Sequence, residues 1–394
     1  MKFLLVKSIL ALTVLTSPVL AQSTPCGGSF SSFLNGVRAE ALAAGYSKRA
    51  TDAVVNWAQV DPKVLSRDRA QGVFKQTFLE FSQRSISSYR MSHGAKNMDR
   101  YASVFDRARR EFGVPAEVIT AFWALETDYG AVQGDFNTVN ALATLAHDCR
   151  RPHLFRPQLL AAIEMVENGD LDPATTTGAW AGEIGQVQML PEDIVTKGMD
   201  GDGDGHVRLK TSSPDAILTA AKLIQSLGWR AGEPWLVEVT APGNLRWEKS
   251  GLETKLRVSE WESMGLRARN GNMPSGGMEA SLLAPQGRNG PKFLAFRNYD
   301  VYLEWNQSFI YSTTAAYLAT RLGGAQRYDA GTPDGGLSDA QMKQLQQILA
   351  ARGYDVGKID GILGARTRSA VQAEQLRFGM PADAWPTPAF LARY

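Results

Sequence analysis

From Phe30 to about Val166 apolar side chains return every three or four residues with few prolines between them, and that rhythm confines the first half of the chain to packed helices. Phe33, Val37, Ala41 and Ala44 form one stripe, and Tyr101, Val104, Phe105 and Ala108 another. A further helix is expected over Ser213–Leu227, opened by Ser213-Pro214-Asp215, where a capping residue precedes a proline suited to the first helical position. Phe309–Leu322 is again helical. Between Trp235 and Trp261 the runs Leu236–Val239 and Lys255–Val258 read as short strands, and Asn270–Gly290, rich in Gly, Asn and Pro, as a long loop. The fold class this implies is mainly α, an α+β body with a small β region.

Residues 323–336 (GGAQRYDAGTPDGG) have no apolar periodicity and are dense in turn formers, so they read as a linker between a body over 27–322 and a separate unit over 337–394. The last unit carries its own stripe of Met342, Leu345, Ile348, Leu349, Val371 and Leu376 and is long enough to fold around a modest core. At the front, Lys2 and Lys7 flank an apolar stretch that ends in Val19-Leu20-Ala21. Residues 1–21 therefore read as a secretory signal cut after Ala21. The stretch is too short to span a bilayer and Pro18 interrupts it, so no membrane span is expected after processing.

Composition limits the partners. Lys+Arg number 42 against 40 Asp+Glu, a formal +2, and no basic field marks a nucleic-acid partner. Two cysteines and four histidines exclude a disulfide-dense scaffold, and His93, His147 and His153 lack zinc-protease spacing. Export to an oxidising compartment favours joining Cys26 to Cys149, which would staple the mature N-terminus to the body.

The chemistry concentrates in two segments. In Val114–Gly130, Pro115 suits the start of a helix and Gly130 its end, while Ile119, Phe122, Trp123 and Glu126 share one face. A carboxyl in a last helical turn, among aromatic rings, meets desolvation and the negative end of the helix dipole; both favour its protonated form. A neutral Glu in an aromatic cleft is what acid cleavage of a glycosidic bond requires. In Gly178–Pro191, glycines allow close backbone approach and glutamines offer both donors and acceptors to sugar hydroxyls and amides. Asp128, two positions beyond Glu126, points to a different face, so no second carboxylate is evident beside it.

Together these segments resemble the MltB-type lytic murein transglycosylases, a family with a lysozyme-like helical core. The resemblance runs from about Phe30 to Leu322 and rests on Glu126-Thr-Asp-Tyr-Gly130, the Ala-Gly-x-x-Gly-x-x-Gln-x-x-Pro pattern at Ala181–Pro191, and an Asp-rich loop before Ser213. It implies that Glu126 is the single catalytic acid and base. It further implies that Gln188, Trp123, Tyr129, Trp305, Asn306 and Tyr311 contact the glycan. The expected reaction is cleavage of the MurNAc–GlcNAc β-1,4 bond with closure of a 1,6-anhydro ring. A hydrolytic muramidase and a non-catalytic wall-binding scaffold are the alternatives. Trp305 stands where the family has Tyr, Ala179 where it has Ser, and Glu183 where it has a small residue; Glu183 adds an acid that facing the cleft would make hydrolysis feasible.

Asp200, Asp202 and Asp204 occupy positions 1, 3 and 5 of an EF-hand-like loop with Gly205 at the turn and the His206 carbonyl next, but position 12 is Thr211. The family closes this loop with an Asp that maps to Asp215. A structural Ca²⁺ is the expected occupant, and no organic cofactor is expected. The unit after the linker, through Leu345–Tyr354 and Gly357–Gly364, resembles the three-helix peptidoglycan-binding domain of cell-wall enzymes. The resemblances imply a periplasmic monomer whose partner is the peptidoglycan glycan strand.

Overall fold

A computed structural model describes residues 24–70 and 76–394; the expected leader at 1–21 lies outside them. Helices follow one another from Phe30–Ala43 to Pro152–Asn168, with the two-residue strand Phe136–Asn137 between them. Phe33, Val37 and Ala41 are buried in the first helix, whereas Ala44 falls at its C-cap and is exposed. At the centre lies Ala116–Thr127, buried from Val118 to Ala124 without a polar face; a helix apolar all round belongs inside a bundle. It packs against Ser88–Arg100, Ala102–Phe112, Ser213–Ser226 and Phe309–Leu322. This is the mainly helical body that the periodicity called for, and no described helix is long and apolar enough to cross a membrane.

The β region is larger than expected. Five antiparallel strands lie in the order Leu256–Arg257, Glu279–Leu283, Phe293–Ala295, Leu236–Thr240 and Arg267–Ala268, with Leu282 opposite Leu294 and Leu294 opposite Val237. The stretch Asn270–Gly290 is thus not all loop. Ala280–Leu283 is buried on both faces, so it shows no alternation, and period-2 reasoning does not detect such a strand. Val258 opens the helix Val258–Ser263 instead of ending a strand. At Ser213–Ser226 the cap is Ser212, whose hydroxyl accepts from the Asp215 N–H, and Ser213 is already helical.

The C-terminal unit is a bundle of Asp339–Ala351, Ala365–Arg377 and the short Pro388–Leu391, closed over Met342, Leu345, Leu349, Val371 and Phe390. Leu376, expected inside, is 58% exposed. Residues 325–336 hold no helix or strand, yet they are fastened along the body. Tyr328 lies among Phe78, Phe293 and Tyr317 and its hydroxyl meets that of Ser82 at 2.8 Å; Thr332 N–H donates to the Asn289 carbonyl at 2.9 Å. The tail docks as well. Arg368, 8% exposed, lies over Phe309 and Trp385 and donates to the Pro285 carbonyl at 2.7 Å. Gln372 donates to the carbonyls of Ser250 and Trp247 at 2.8 and 3.1 Å.

Candidate active site

Glu126 sits in the last turn of the central helix, which stops because Asp128 takes a left-handed conformation (φ 50°). Its neighbours come from the other end of the body. The Trp305 indole N–H donates to Glu126 Oε1 at 2.9 Å, and the Tyr311 hydroxyl donates to the same oxygen. No described donor reaches Oε2. Trp305 stacks on Phe122 with centroids 4.2 Å apart, and Phe122 in turn on Tyr302 at 5.0 Å. Burial pushes the Glu126 carboxyl above the ordinary glutamate value of 4.5; the phenol and indole donors pull it back, and Glu183 pushes it up again. Burial also drives the Tyr311 phenol well above its usual range, which keeps it a proton donor to Glu126.

Asn306 separates the two donors. Its side-chain carbonyl accepts from the Ser308 N–H at 2.9 Å and its main-chain carbonyl from the Ser312 hydroxyl at 2.6 Å, so it shapes the turn from Trp305 into Phe309–Leu322. Asp128 is drawn away from Glu126 into an ion pair with Arg90 at 2.6 Å. Tyr129 also faces Arg90 and donates to its carbonyl. Trp123 requires a correction: it is 2% exposed and packs edge-on against Tyr129 inside the bundle, because the buried helix presents nearly its whole circumference to neighbours. Its ring belongs to the core and leaves no face for a sugar.

The loop Gly178–Pro191 closes on the C-terminal end of the acid-bearing helix. Thr127 hydroxyl donates to the Gln186 carbonyl, and a Cβ on Gly130, itself left-handed at φ 87°, would press on the Gln186 side chain at 3.0 Å. The loop turns on itself through the Ile184–Met189 bridge and the Ala179 N–H to Glu183 carbonyl bond at 2.9 Å. Gln188 is left-handed (φ 50°), a strained state for a non-glycine residue, and donates to the carbonyls of Gly185 (2.9 Å) and Gln133 (3.2 Å). The structure thus brings Glu126, Trp305 and Tyr311 into direct contact and sets the Gln188 loop beside them.

The profile of the SLT-type transglycosylase domain matches residues 29–320, and that of the peptidoglycan-binding domain residues 338–393. The chain belongs to the SLT transglycosylase family. It is 30% identical over 208 residues to membrane-bound lytic murein transglycosylase B of Escherichia coli K12, covering 52% of this chain and 56% of that protein. The chain thus aligns with little more than half the length of that relative. SltB3 of Pseudomonas aeruginosa, solved in complex with NAG-anhNAM-pentapeptide, superimposes with a TM-score of 0.85 at 36% identity, over 93% of this chain and 99% of that one. The Escherichia coli lytic transglycosylase Slt35, in complex with calcium, shares the fold (TM-score 0.64, 24% identity, 77% and 97% covered). These matches confirm the kinship read from Glu126–Gly130 and Ala181–Pro191.

In this SLT-family chain, carboxylate oxygens of Asp200, Asp202 and Asp204 lie within 4.8 Å of one another, a spacing and donor type that fit a hard cation. The N–H groups of Gly205 and Gly203 hold the Asp200 carboxyl below its usual range. Asp215 lies one hydroxyl away from that cluster: Ser212 Oγ is 2.8 Å from Asp215 and 2.7 Å from Asp202. Asp215 is fully buried, and its oxygens accept from the N–H groups of Gly201 (2.9 Å) and Arg208 (2.7 Å), so it clasps the loop from behind. The His206 ring pairs with Asp170 at 3.0 Å. Sequence reasoning missed Arg90, Gln133 and Gln186 in this SLT-family site. Gln186 and Gln133 lay inside or beside the quoted motifs; Arg90 carries no local signal, since its partner Asp128 is distant in sequence. Cys26 and Cys149 are joined, with Cα atoms 5.3 Å apart.

Proposed function

We propose that the chain is a lytic transglycosylase that cuts the MurNAc–GlcNAc β-1,4 bond of peptidoglycan and leaves 1,6-anhydro-MurNAc ends, with Glu126 as both acid and base. The observation that supports this most is the division of labour at Glu126: Oε1 is occupied by Trp305 and Tyr311, while Oε2 is left to carry a proton at a carboxyl whose burial favours the neutral form. Oε2–H gives its proton to the bridging oxygen, the bond to MurNAc C1 breaks, and positive charge develops as in an oxocarbenium ion. Trp305 and Tyr311 then stabilise the new carboxylate through charge-assisted hydrogen bonds. That carboxylate takes the proton of the MurNAc C6 hydroxyl, O6 bonds to C1, and Glu126 is neutral again. Asp128, held by Arg90, is no substitute for a second carboxylate. Trp305, Tyr129, Asn306, Tyr311 and Gln188 are read as the glycan-contacting set, and the kinship with SltB3 points to peptide-bearing strands as substrate.

Digestion of purified sacculi followed by mass spectrometry of the fragments tests the reaction. Anhydro-MurNAc ends are the expected product; hydrated reducing ends would replace this reading with a muramidase, and no release would remove the enzyme. The site of action that fits is the periplasm, with the peptidoglycan-binding unit holding the wall.

The Asp200–Asp204 loop, by its donor set and its likeness in fold to a protein solved with calcium, is read as a structural Ca²⁺ site in which Asp200, Asp202, Asp204 and the His206 carbonyl hold the ion. The ion would offset repulsion among three carboxylates in a loop that Gln186 N–H joins through the Leu209 carbonyl at 2.9 Å. Chelation should therefore lower the melting midpoint and added Ca²⁺ restore it. An unchanged midpoint in both directions would argue that the loop stands without the ion.

A further inference from the structure

Both donors on Glu126 Oε1 come from one bend of the chain. Trp305 ends the helix Arg297–Trp305, and Tyr311 lies in the first turn of Phe309–Leu322. Between them the chain is tied to itself. Asn306 accepts from Ser308 N–H at 2.9 Å, the Ser308 hydroxyl accepts from Tyr311 N–H at 3.3 Å, and the Ser312 hydroxyl lies 2.6 Å from the Asn306 carbonyl. The first turn of a helix is its loosest part, because its N–H groups have no partner within the helix. Here the C-terminal unit covers that turn from outside. The Arg368 guanidinium lies 4.7 Å from the centre of the Phe309 ring. Ile310 borders a small hollow whose other walls include Leu337, Met342, Leu363 and Trp385. Successive helical residues stand about 100° apart, so Phe309 and Ile310 meet the tail while Tyr311 reaches Glu126. Arg368 is a costly residue for such a place. It is buried, its Nε has no hydrogen-bond partner among the described residues, and burial pulls its pKa down to about 10. An apolar side chain would fill the interface without that cost, but it would lack the flat guanidinium that stacks on a ring.

We propose that Arg368 is a positioning residue of this active site: seated on Phe309, it fixes the bend that presents Trp305 and Tyr311 to Glu126. The peptidoglycan-binding unit is then a working part of the catalytic site as well as an anchor. The proposal rests on the reading of Glu126 as the acid. Arg368 acts through Phe309 and takes no part in proton transfer. When the bend loosens, the indole and the phenol spend less time on Oε1. The carboxylate left by proton donation is then less well stabilised, and turnover slows. The same two donors hold the Glu126 carboxyl down against burial, so weakening them lets it keep its proton to higher pH.

The test uses the full-length protein and a soluble peptidoglycan fragment of two disaccharide units, which needs no attachment to an insoluble wall. In Arg368→Leu, kcat should fall by about tenfold or more with KM little changed, and the alkaline limb of kcat/KM should move up by roughly half a pH unit. Phe309→Leu removes the ring beneath Arg368 and should reproduce both effects, which keeps the test open if Arg368→Leu does not fold. Gln372→Ala deletes the tail's contacts to Ser250 and Trp247 but leaves Arg368 on Phe309, and should stay near the wild type. Unchanged kcat in folded Arg368→Leu, or an equal loss in Gln372→Ala, overturns the proposal. Hydrogen exchange gives a readout without turnover. Amides at the start of Phe309–Leu322 should exchange faster in Arg368→Leu while those of Ala116–Thr127 stay protected; equal exchange in variant and wild type counts against the proposal. Failure of the parent reading looks different: the wild type then releases no anhydro-ended fragments, while exchange at the bend still follows Arg368.

Discussion

Glu126→Gln is expected to reduce fragment release from sacculi by a factor on the order of 10² to 10⁴, toward the upper end because one carboxyl serves both proton transfers. Binding of the same variant to sacculi should survive, since the C-terminal unit lies outside the cleft and has its own core. Stability should move the other way from activity. A carboxyl whose folded pKa is raised contributes fully only below its unfolded pKa, and that contribution is lost as pH rises through the folded value. At neutral pH the wild type therefore bears an unfavourable group that glutamine removes, and the melting midpoint of Glu126→Gln should be equal or higher. Full activity in the variant, or a clear loss of stability at neutral pH, would take Glu126 out of its assigned role.

How much of this site could be read from the chain depends on the range of the interaction. The helix that carries Glu126 was legible because its proline entry and apolar run are contiguous, and the glycine-glutamine loop because its residues are unusual together. The partners on Oε1 were reachable only through kinship: Trp305 and Tyr311 lie far along the chain, and no local pattern says that an indole and a phenol will meet one carboxylate oxygen. Trp123 misled because a three- and four-residue spacing defines a face without saying whether that face meets solvent or another helix. Asp215 was reachable only through kinship, since an acid at the start of a helix serves a cap and a loop clasp as readily as a cation. The strand at Glu279–Leu283 escaped because burial on both sides erases alternation.

Removing the disulfide with the Cys26→Ser/Cys149→Ser double variant should lower unfolding free energy by up to about 4–5 kcal/mol. The bond joins positions 123 residues apart, and the chain-entropy account assigns the loss to a freer unfolded state. Other contacts also hold these ends in the folded state and are expected to persist without the bond. Gly27 N–H still reaches the His147 carbonyl at 2.9 Å, Phe30 and Phe33 still pack on the His147 ring, and Arg156 still pairs with Glu40 at 2.6 Å. Activity at low temperature should accordingly persist while the denaturation midpoint falls. Equilibrium unfolding of the oxidised protein and the double variant measures this directly. A difference below about 1 kcal/mol would mean that unfolded-state structure already holds these ends together.

The fastening of residues 325–336 and the seating of Arg368 between Phe309 and Trp385 bear on how the enzyme would meet a polymer. A domain on a loose tether sweeps a volume and lets its partner cut anywhere within reach. A domain clamped to the catalytic body behaves like the fence of a workshop saw: once it touches the wall, the distance and angle from that touch to the cut are already chosen. Phe309 opens the very helix that carries Tyr311, so the clamp and the blade share one piece of backbone.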